Sequence, residues 1–366
     1  MDVESMENSK VLVGIIHKLE MGGAERMMVN IINHFAKEGK EVHLIIFHNI
    51  GSLKEQLNNN IIVHDLKVTS VKDGLFKSFK ELYQLKPDTV FSGIGHLNIA
   101  LAPFIPLLKI VLPKSRWVSR ETNIASIKNK KSKYPKLFDW LYKKLYKNYD
   151  VIIAQSEDMR DDLARYYPAA AKKAVIINNP IDIERVEHLS SEGDVPKINL
   201  INVSVLRQAK RHHLMLEVLA KLPTHYHLTL VGSGAEEEKL KHLSKELGLG
   251  KRVSFEGHQT NPYPYMKRAD LFLLTSEHEG FPNVLLEANA LGLPVVAFAC
   301  PGGITEIIQE GRNGFSVSNG EVDKMVETIE KAMVYDFNRE DIVKATEERY
   351  SQEIILEKYR EVFYGS

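Results

Sequence analysis

The sequence predicts an α/β protein made of two doubly wound, parallel-sheet domains. Three observations predict it. Short apolar runs such as Val11–Ile16, Leu271–Thr275 and Pro294–Ala299 sit between polar or Gly/Pro loops, as strands buried on both faces do. Stretches with apolar residues at helical spacing lie between them, so strand and helix alternate. The chain has 366 residues, 44% of them apolar, enough for two domains that each bury a core.

The elements follow in order. Val11–Ile16 is the first strand, Gly22-Gly23 a bare turn, and Ala24–Ala36 a helix with Met27, Met28, Ile31, Ile32 and Phe35 along one face. Glu41–Phe47 completes a βαβ unit. The turn lacks G-x-G-x-x-G, so a dinucleotide fingerprint is not supported. Ile61–Val63, Thr89–Ser92, Trp117–Ser119, Val151–Ala154 and Val175–Ile177 read as further strands with helices between. Leu97–Pro113 is the longest apolar stretch, but Pro103, Pro106 and Lys109 interrupt it. It reads as buried helix and loop rather than a membrane span.

The first domain is expected over 1–182 and a polar linker over 183–197, which holds Ser190, Ser191, Gly193 and Pro196. The second domain is expected over 198–350. It opens with the strand Ile198–Val205, the helix Leu214–Leu222 and the strand Tyr226–Val231. Gly232-Ser233-Gly234 precedes a helix with an acidic start at Glu236, and Val253–Phe255 is the next strand. Leu271–Thr275 leads through the loop Ser276–Gly280 to a helix over Val284–Leu291, with Pro282 in its first turn and Gly292 ending it. Pro294–Ala299 leads through Pro301-Gly302-Gly303 to a helix over Ile304–Gln309. Met325–Met333, Ile342–Tyr350 and Glu353–Phe363 read as helices.

Composition excludes several classes. Lys plus Arg and Asp plus Glu number 48 each, so the basic excess of a dedicated nucleic-acid binder is missing. Cys300 is the single cysteine, which fits a reducing compartment. Met1–Lys10 is polar and acidic, and Val11–Ile16 is too short for the core of an export signal. The expected location is cytoplasmic, with peripheral attachment to the inner face of the cytoplasmic membrane.

The polar groups converge on one rim. Ligands of doubly wound sheets bind outside the carboxyl ends of the strands. Glu279 lies in such a loop, Glu287 on the helix after it, and Gly302-Gly303 in the next loop of the same kind, with Glu306 just beyond. Carboxylates accept from sugar hydroxyls, whereas loop backbone and a helix start hold phosphate. That combination suits a sugar carried on a nucleotide diphosphate. Arg207 and Lys210, after the strand Ile198–Val205, are cations placed to clamp a diphosphate. Arg211 reads as their solvated neighbour, and Glu277 as a solvated carboxylate.

Glu279-Gly280-Phe281-Pro282-Asn283-Val284 through Glu287 resembles the E-x7-E motif of retaining glycosyltransferases of family 4, which have the GT-B fold. The resemblance covers nearly the whole chain. Pro301-Gly302-Gly303 with Glu306, and Met21-Gly22-Gly23-Ala24-Glu25-Arg26, match the family's two Gly-rich turns. The resemblance implies two Rossmann-like domains facing a cleft, with the last helix (351–366) crossing back onto the first. It implies Glu287 at the ribose, Glu279 at the transferred sugar and Gly257 and His258 passing the base. It also implies Gly22 and Gly23 at a phosphate and His96 at the reaction centre. The family often has Gly-Arg after the strand and Lys five residues on. Here Ser204 and Val205 fill the first two places, Lys210 keeps its own, and Arg207 substitutes. Arg120 and Glu121, in Ser119–Asn123, resemble an acceptor loop in inverted order, or else pair with each other.

The implied reaction moves a sugar, with retention, from a UDP-linked donor to a saccharide or polyprenyl-diphosphate-linked saccharide. No cofactor and no essential metal are expected. The rivals are a GT-B UDP-sugar 2-epimerase and a non-catalytic sugar-binding protein. Finally, 128–147 holds eight lysines and one acid, Asp139, interleaved with Tyr134, Phe138, Trp140, Tyr142 and Tyr146. A basic amphipathic segment with aromatics suits an anionic membrane surface.

Overall fold

The computed structural model describes residues 10–20, 22–182 and 198–365. The linker expected at 183–197 lies outside the described residues, as do Met21 of the first glycine turn and Ser366. The chain divides into two compact units, Met1–Asn179 with Ile355–Ser366, and Pro180–Ile354.

Unit 1 is a seven-stranded parallel sheet: β1 Leu12–Ile16, β2 Val42–Ile46, β3 Ile62–Asp65, β4 Thr89–Ser92, β5 Arg116–Arg120, β6 Val151–Ala154 and β7 Ala174–Ile176. Its order is β3-β2-β1-β4-β5-β6-β7. The central strands are continuous apolar runs because helices cover both faces. β1 and β2 are buried at every position. The helix Gly23–Lys37 turns Met27, Met28, Ile31, Ile32 and Phe35 into this core.

The last helix, Gln352–Tyr364, joins the same core, as the resemblance implies. Phe363 lies 5.4 Å from Phe35 and 5.0 Å from Phe91, ring centre to ring centre, and Thr89 Oγ1 donates to the Phe363 carbonyl at 2.6 Å. Arg360 bridges Glu38 and Glu357, so the C-terminal helix is held by packing and by charge.

Unit 2 is a six-stranded parallel sheet: β8 Ile198–Val203, β9 Tyr226–Val231, β10 Val253–Gly257, β11 Leu271–Leu274, β12 Val295–Ala299 and β13 Gly314–Ser318, in the order β10-β9-β8-β11-β12-β13. Both sheets are therefore doubly wound, with a reversal beside β1 in unit 1 and beside β8 in unit 2.

Two local expectations need correction, and one strand was not expected. Leu97–Pro113 is not buried throughout. It forms two short helices, Gly95–Leu101 and Ile105–Val111, and the second turns only Ile105 and Leu108 inward, leaving Leu107, Ile110 and Val111 exposed. The helix expected over Ile304–Gln309 is a single turn, Ile304–Ile307, because Ile308 is already extended. β13 carries a weak apolar signal, since Gly314, Ser316 and Ser318 alternate with Phe315 and Val317. Gly314 is required there because a side chain would run into the Val295 carbonyl.

Candidate functional site

In unit 2, β9 and β10 extend from one side of β8, and β11 to β13 from the other. The crevice at such a switch point lies between the loops that leave the two adjacent strands. Here those loops, 204–211 and 275–282, are stitched together. Arg211, held at a left-handed φ of 50°, donates from Nε to the Thr275 carbonyl at 2.9 Å and from Nη2 to the Ser276 carbonyl at 2.7 Å. The Glu277 N–H donates to the Ala209 carbonyl at 2.8 Å, and Thr275 Oγ1 to the Lys210 carbonyl at 3.0 Å. Arg211 is thus a structural clamp and not a solvated neighbour. Its fixed guanidinium fork suits two carbonyls at once.

The stitching sets Lys210 Nζ 2.6 Å from Glu279 Oε1, and Ser276 Oγ donates to the same oxygen at 2.5 Å. The two charged side chains are 13% and 11% exposed. An ion pair this far withdrawn from water is a strong local constraint, and removing either partner strands the other.

The glycine loop shapes the same rim. Gly302 and Gly303 sit at φ of 107° and 46°. A side chain on Gly302 would strike the Glu279 carbonyl, and one on Gly303 the Phe281 ring. The Glu279 N–H also donates to the Pro301 carbonyl at 2.9 Å. The two loops need this close approach, which only glycine permits. The one-turn helix beyond sums few peptide dipoles, so an anion at this rim would meet loop backbone rather than a helix dipole.

Pro282 caps the helix Asn283–Ala290, on which Glu287 is half-buried. Gly280, Phe281 and Pro282 are buried and Asn283 and Val284 half-buried, so this stretch forms the floor of the rim. Gly257 ends β10 at φ 66° and accepts from the Gly232 N–H at 2.7 Å, whereas His258 is exposed beside it. Glu277 is exposed, as read from the sequence. Arg207 is exposed and lines a separate depression of about 210 Å³ with Gln208, His213, Glu236 and Lys239. The structure does not bring it into the Lys210–Glu279 contacts. Cys300 is buried near Glu279, and burial first, then that carboxylate, pushes its thiol up to about 12.

In unit 1 the reversal falls between β1 and β4. His17 follows β1 and His96 follows β4, and their rings meet edge to face with centroids 5.8 Å apart. His17 Nε2 donates to the Thr69 carbonyl at 3.0 Å. His96 reaches solvent, yet partial burial lowers its pKa, with His17 and Lys128 nearby as smaller causes. Gly22 and Gly23 differ from Gly302. Gly22 has ordinary extended backbone, and nothing lies within 4 Å of a side chain placed on Gly23. Gly23 leaves open backbone, whereas the Glu25 carboxylate folds over Gly22, where a side chain would strike it.

Arg120 and Glu121 do not pair with each other. Each is 1% exposed and uses other partners. Arg120 donates from Nη2 to Asn179 Oδ1. Glu121 accepts from the hydroxyls of Tyr142 and Tyr146. Burial, then the Glu121 charge, holds both phenols well above the usual tyrosine range, so they stay protonated and donate. Two of the five aromatics in 128–147 are thereby accounted for: Tyr142 and Tyr146 stack at 4.5 Å over a buried carboxylate. Tyr134, Leu137 and Trp140 face outward, each more than half exposed.

Comparison with known proteins decides the family. The model "Glycosyl transferases group 1" matches residues 187–349, and "Glycosyltransferase Family 4" matches 21–185. The chain belongs to the family 4-like glycosyltransferases of GT-B fold. This glycosyltransferase is 29% identical over 336 residues to the N-acetylgalactosamine-N,N'-diacetylbacillosaminyl-diphospho-undecaprenol 4-alpha-N-acetylgalactosaminyltransferase of Campylobacter jejuni, covering 88% of this chain and 89% of that protein. It is 25% identical to the lipopolysaccharide core biosynthesis glycosyltransferase LpsE of Rhizobium meliloti, over 92% of this chain and 94% of that one. Its backbone resembles that of Anabaena HepE solved with UDP, with a TM-score of 0.78 at 20% identity, covering 98% of this chain and 100% of HepE. No helix among the described residues of the glycosyltransferase is long and apolar enough to cross a membrane.

Sequence reasoning missed His17, Arg211 and the inward turn of Lys128. His17 had a signal, since it follows the first strand directly at the reversal. Arg211 had none, because its left-handed backbone and the loops it joins appear only in three dimensions.

Proposed function

We propose that the glycosyltransferase moves a sugar from a UDP-linked donor, with retention, to a saccharide acceptor. The acceptor is taken to be carried on a polyprenyl diphosphate in surface glycan assembly. The observation that carries the donor half is the Lys210–Glu279 pair at the switch point of unit 2, bordered by Gly302-Gly303 and followed by Glu287. Glu287 takes the ribose hydroxyls. The diphosphate takes Lys210, with the loop backbone at 302–303 in support, and needs no metal. Glu279 faces the transferred sugar. With no separate nucleophile assigned, the leaving phosphate accepts the acceptor's proton on the same face of the sugar. The acceptor half rests on the names of the relatives that act on undecaprenyl-diphospho saccharides.

The same reading places the outward face of the helix Pro135–Leu145 against an anionic membrane. Leu137 and Trp140, with Tyr134 just before the helix, supply apolar contact, and Lys136, Lys144 and Lys147 remain exposed around them. The deciding experiment is thermal stabilisation by UDP, GDP, ADP, CMP and NAD in parallel, since a ligand at ~100 times its Kd adds ~2.7 kcal/mol. A shift with UDP supports the donor assignment. A shift with GDP or ADP alone changes the nucleotide, and a shift with NAD alone overturns the reading. Consumption of a UDP-sugar without any acceptor would favour the 2-epimerase.

A further inference from the structure

The rim of unit 1 carries a cation that the donor site does not use. Lys128 was expected to face a membrane with the other lysines of its segment. Instead it is half-buried, and its ammonium lies so close over Gly95 that a side chain at Gly95 would strike it, with the Thr122 hydroxyl beside the same spot. Among the described residues no carboxylate pairs with it. Glu25, in the helix that follows the Gly22-Gly23 turn, is folded onto Gly22. Glu121, nearest in sequence, is occupied by Tyr142 and Tyr146. His96 and His17 complete the group, and the depressed pKa of His96 has both His17 and Lys128 among its causes.

A half-buried ammonium with no carboxylate beside it is left without a counter-charge, which is unfavourable. Such a group is stabilised by an anion arriving from outside. The location agrees, because His17 follows β1, Gly93–His96 follows β4 and Thr122 follows β5, so the group lies at the carboxyl ends of these strands at the reversal. We propose that Lys128, flanked by His17 and His96, binds a phosphate or diphosphate ester, and that this anion is the one joining the acceptor sugar to its carrier. Lys128 is then a positioning residue. It fixes the acceptor by its charged linkage and leaves the sugar hydroxyl free to react. The proposal rests on the glycosyltransferase reading for the existence of an acceptor, but not for the anion site itself.

Diphosphate chemistry has two sources, acceptor and donor, so the test separates them. Inorganic pyrophosphate is titrated by calorimetry into the full chain saturated with UDP, for wild type, Lys128→Met and Lys128→Arg. The expected result is pyrophosphate binding weakened at least about tenfold in Lys128→Met and largely retained in Lys128→Arg, as for loss of one charge-assisted contact. UDP affinity and melting temperature should match wild type in both. Unchanged pyrophosphate affinity in Lys128→Met would overturn the proposal. So would loss of UDP binding in that variant, which would assign the cation to the donor. If UDP binds none of the three proteins, the donor reading fails separately, and pyrophosphate titration of wild type against Lys128→Met still decides the role of Lys128.

Discussion

Lys210 and Glu279 are 69 residues apart in sequence and 2.6 Å apart in space, joined across the point where the unit 2 sheet reverses direction. Each compensates the other, and both are close to nine-tenths withdrawn from water. Lys210→Met should lower stability by about 3 kcal/mol, because a buried carboxylate loses its partner. Glu279→Gln should cost less, since the amide oxygen still accepts from Ser276 and Lys210. The double variant should be more stable than the two losses summed, a coupling that urea denaturation of all four proteins would measure. Additive losses would mean the pair is held apart in solution. Lys210→Met should also weaken UDP about tenfold or more.

The two glycine turns make opposite predictions. Gly302→Ala forces both a left-handed alanine and a clash with the Glu279 carbonyl, so melting should fall sharply, by the equivalent of about 2 kcal/mol or more. Gly23→Ala meets open space at a helix start, and alanine favours helix, so stability should hold or rise. Any loss of turnover in Gly23→Ala would therefore report a ligand approaching that backbone. Equal melting losses in both variants would contradict the geometry.

Much of the architecture was legible because its signal is local. Parallel strands buried on both faces are short apolar runs, and Leu271–Leu274 or Thr89–Ser92 need no distant partner to be recognised. The Glu279-to-Glu287 motif was legible for the same reason. Lys128 was not, because its charge pattern places it among seven other lysines and only the fold turns it toward Gly95. Tyr142 and Tyr146 read as membrane aromatics until their shared carboxylate, 21 and 25 residues upstream, is located. The length of the helix after Gly303 depended on the extended backbone of Ile308, which an isoleucine does not announce.

Glu287→Ala should leave the fold largely intact, since the residue is half-buried and alanine is a good helix former. Its expected effect is on the nucleotide. Two ribose hydrogen bonds to a carboxylate correspond to about 2–3 kcal/mol, or roughly 30- to 150-fold in Kd for UDP. Calorimetry with UDP against UMP and uracil would locate the loss. If the variant binds UDP as wild type does, the ribose lies elsewhere.

The outward face of Pro135–Leu145 predicts a salt-sensitive membrane contact. Replacing Lys130, Lys131, Lys143 and Lys144 by Glu should reduce sedimentation with anionic vesicles. Trp140→Ala should reduce it in high salt as well, because its contribution is apolar. Neutral vesicles should bind neither protein well. Unchanged sedimentation of the charge-reversed protein would remove the membrane role while leaving the fold and donor site as described.

His212 ties acid stability to the loops at the switch point of unit 2. It is buried, its Nε2 is 2.8 Å from Ser204 Oγ and 3.1 Å from Asn202 Oδ1, and its pKa is lowered to about 4, first by burial and then by Lys210 and His213. Above the usual histidine value of about 6.5 both folded and unfolded chains hold it neutral, so it contributes no pH dependence. As pH falls from there toward 4, the unfolded chain takes up a proton that the folded chain refuses, and stability drops. Below 4 both states are protonated and the loss levels off. The full drop is about 3 kcal/mol. His212→Gln keeps a polar side chain and removes the titration, so its stability should change less steeply between pH 6.5 and 4, whatever its value at pH 7. Urea midpoints at several pH values for the two proteins would measure the slopes, and parallel slopes would mean that His212 is protonated in the folded state.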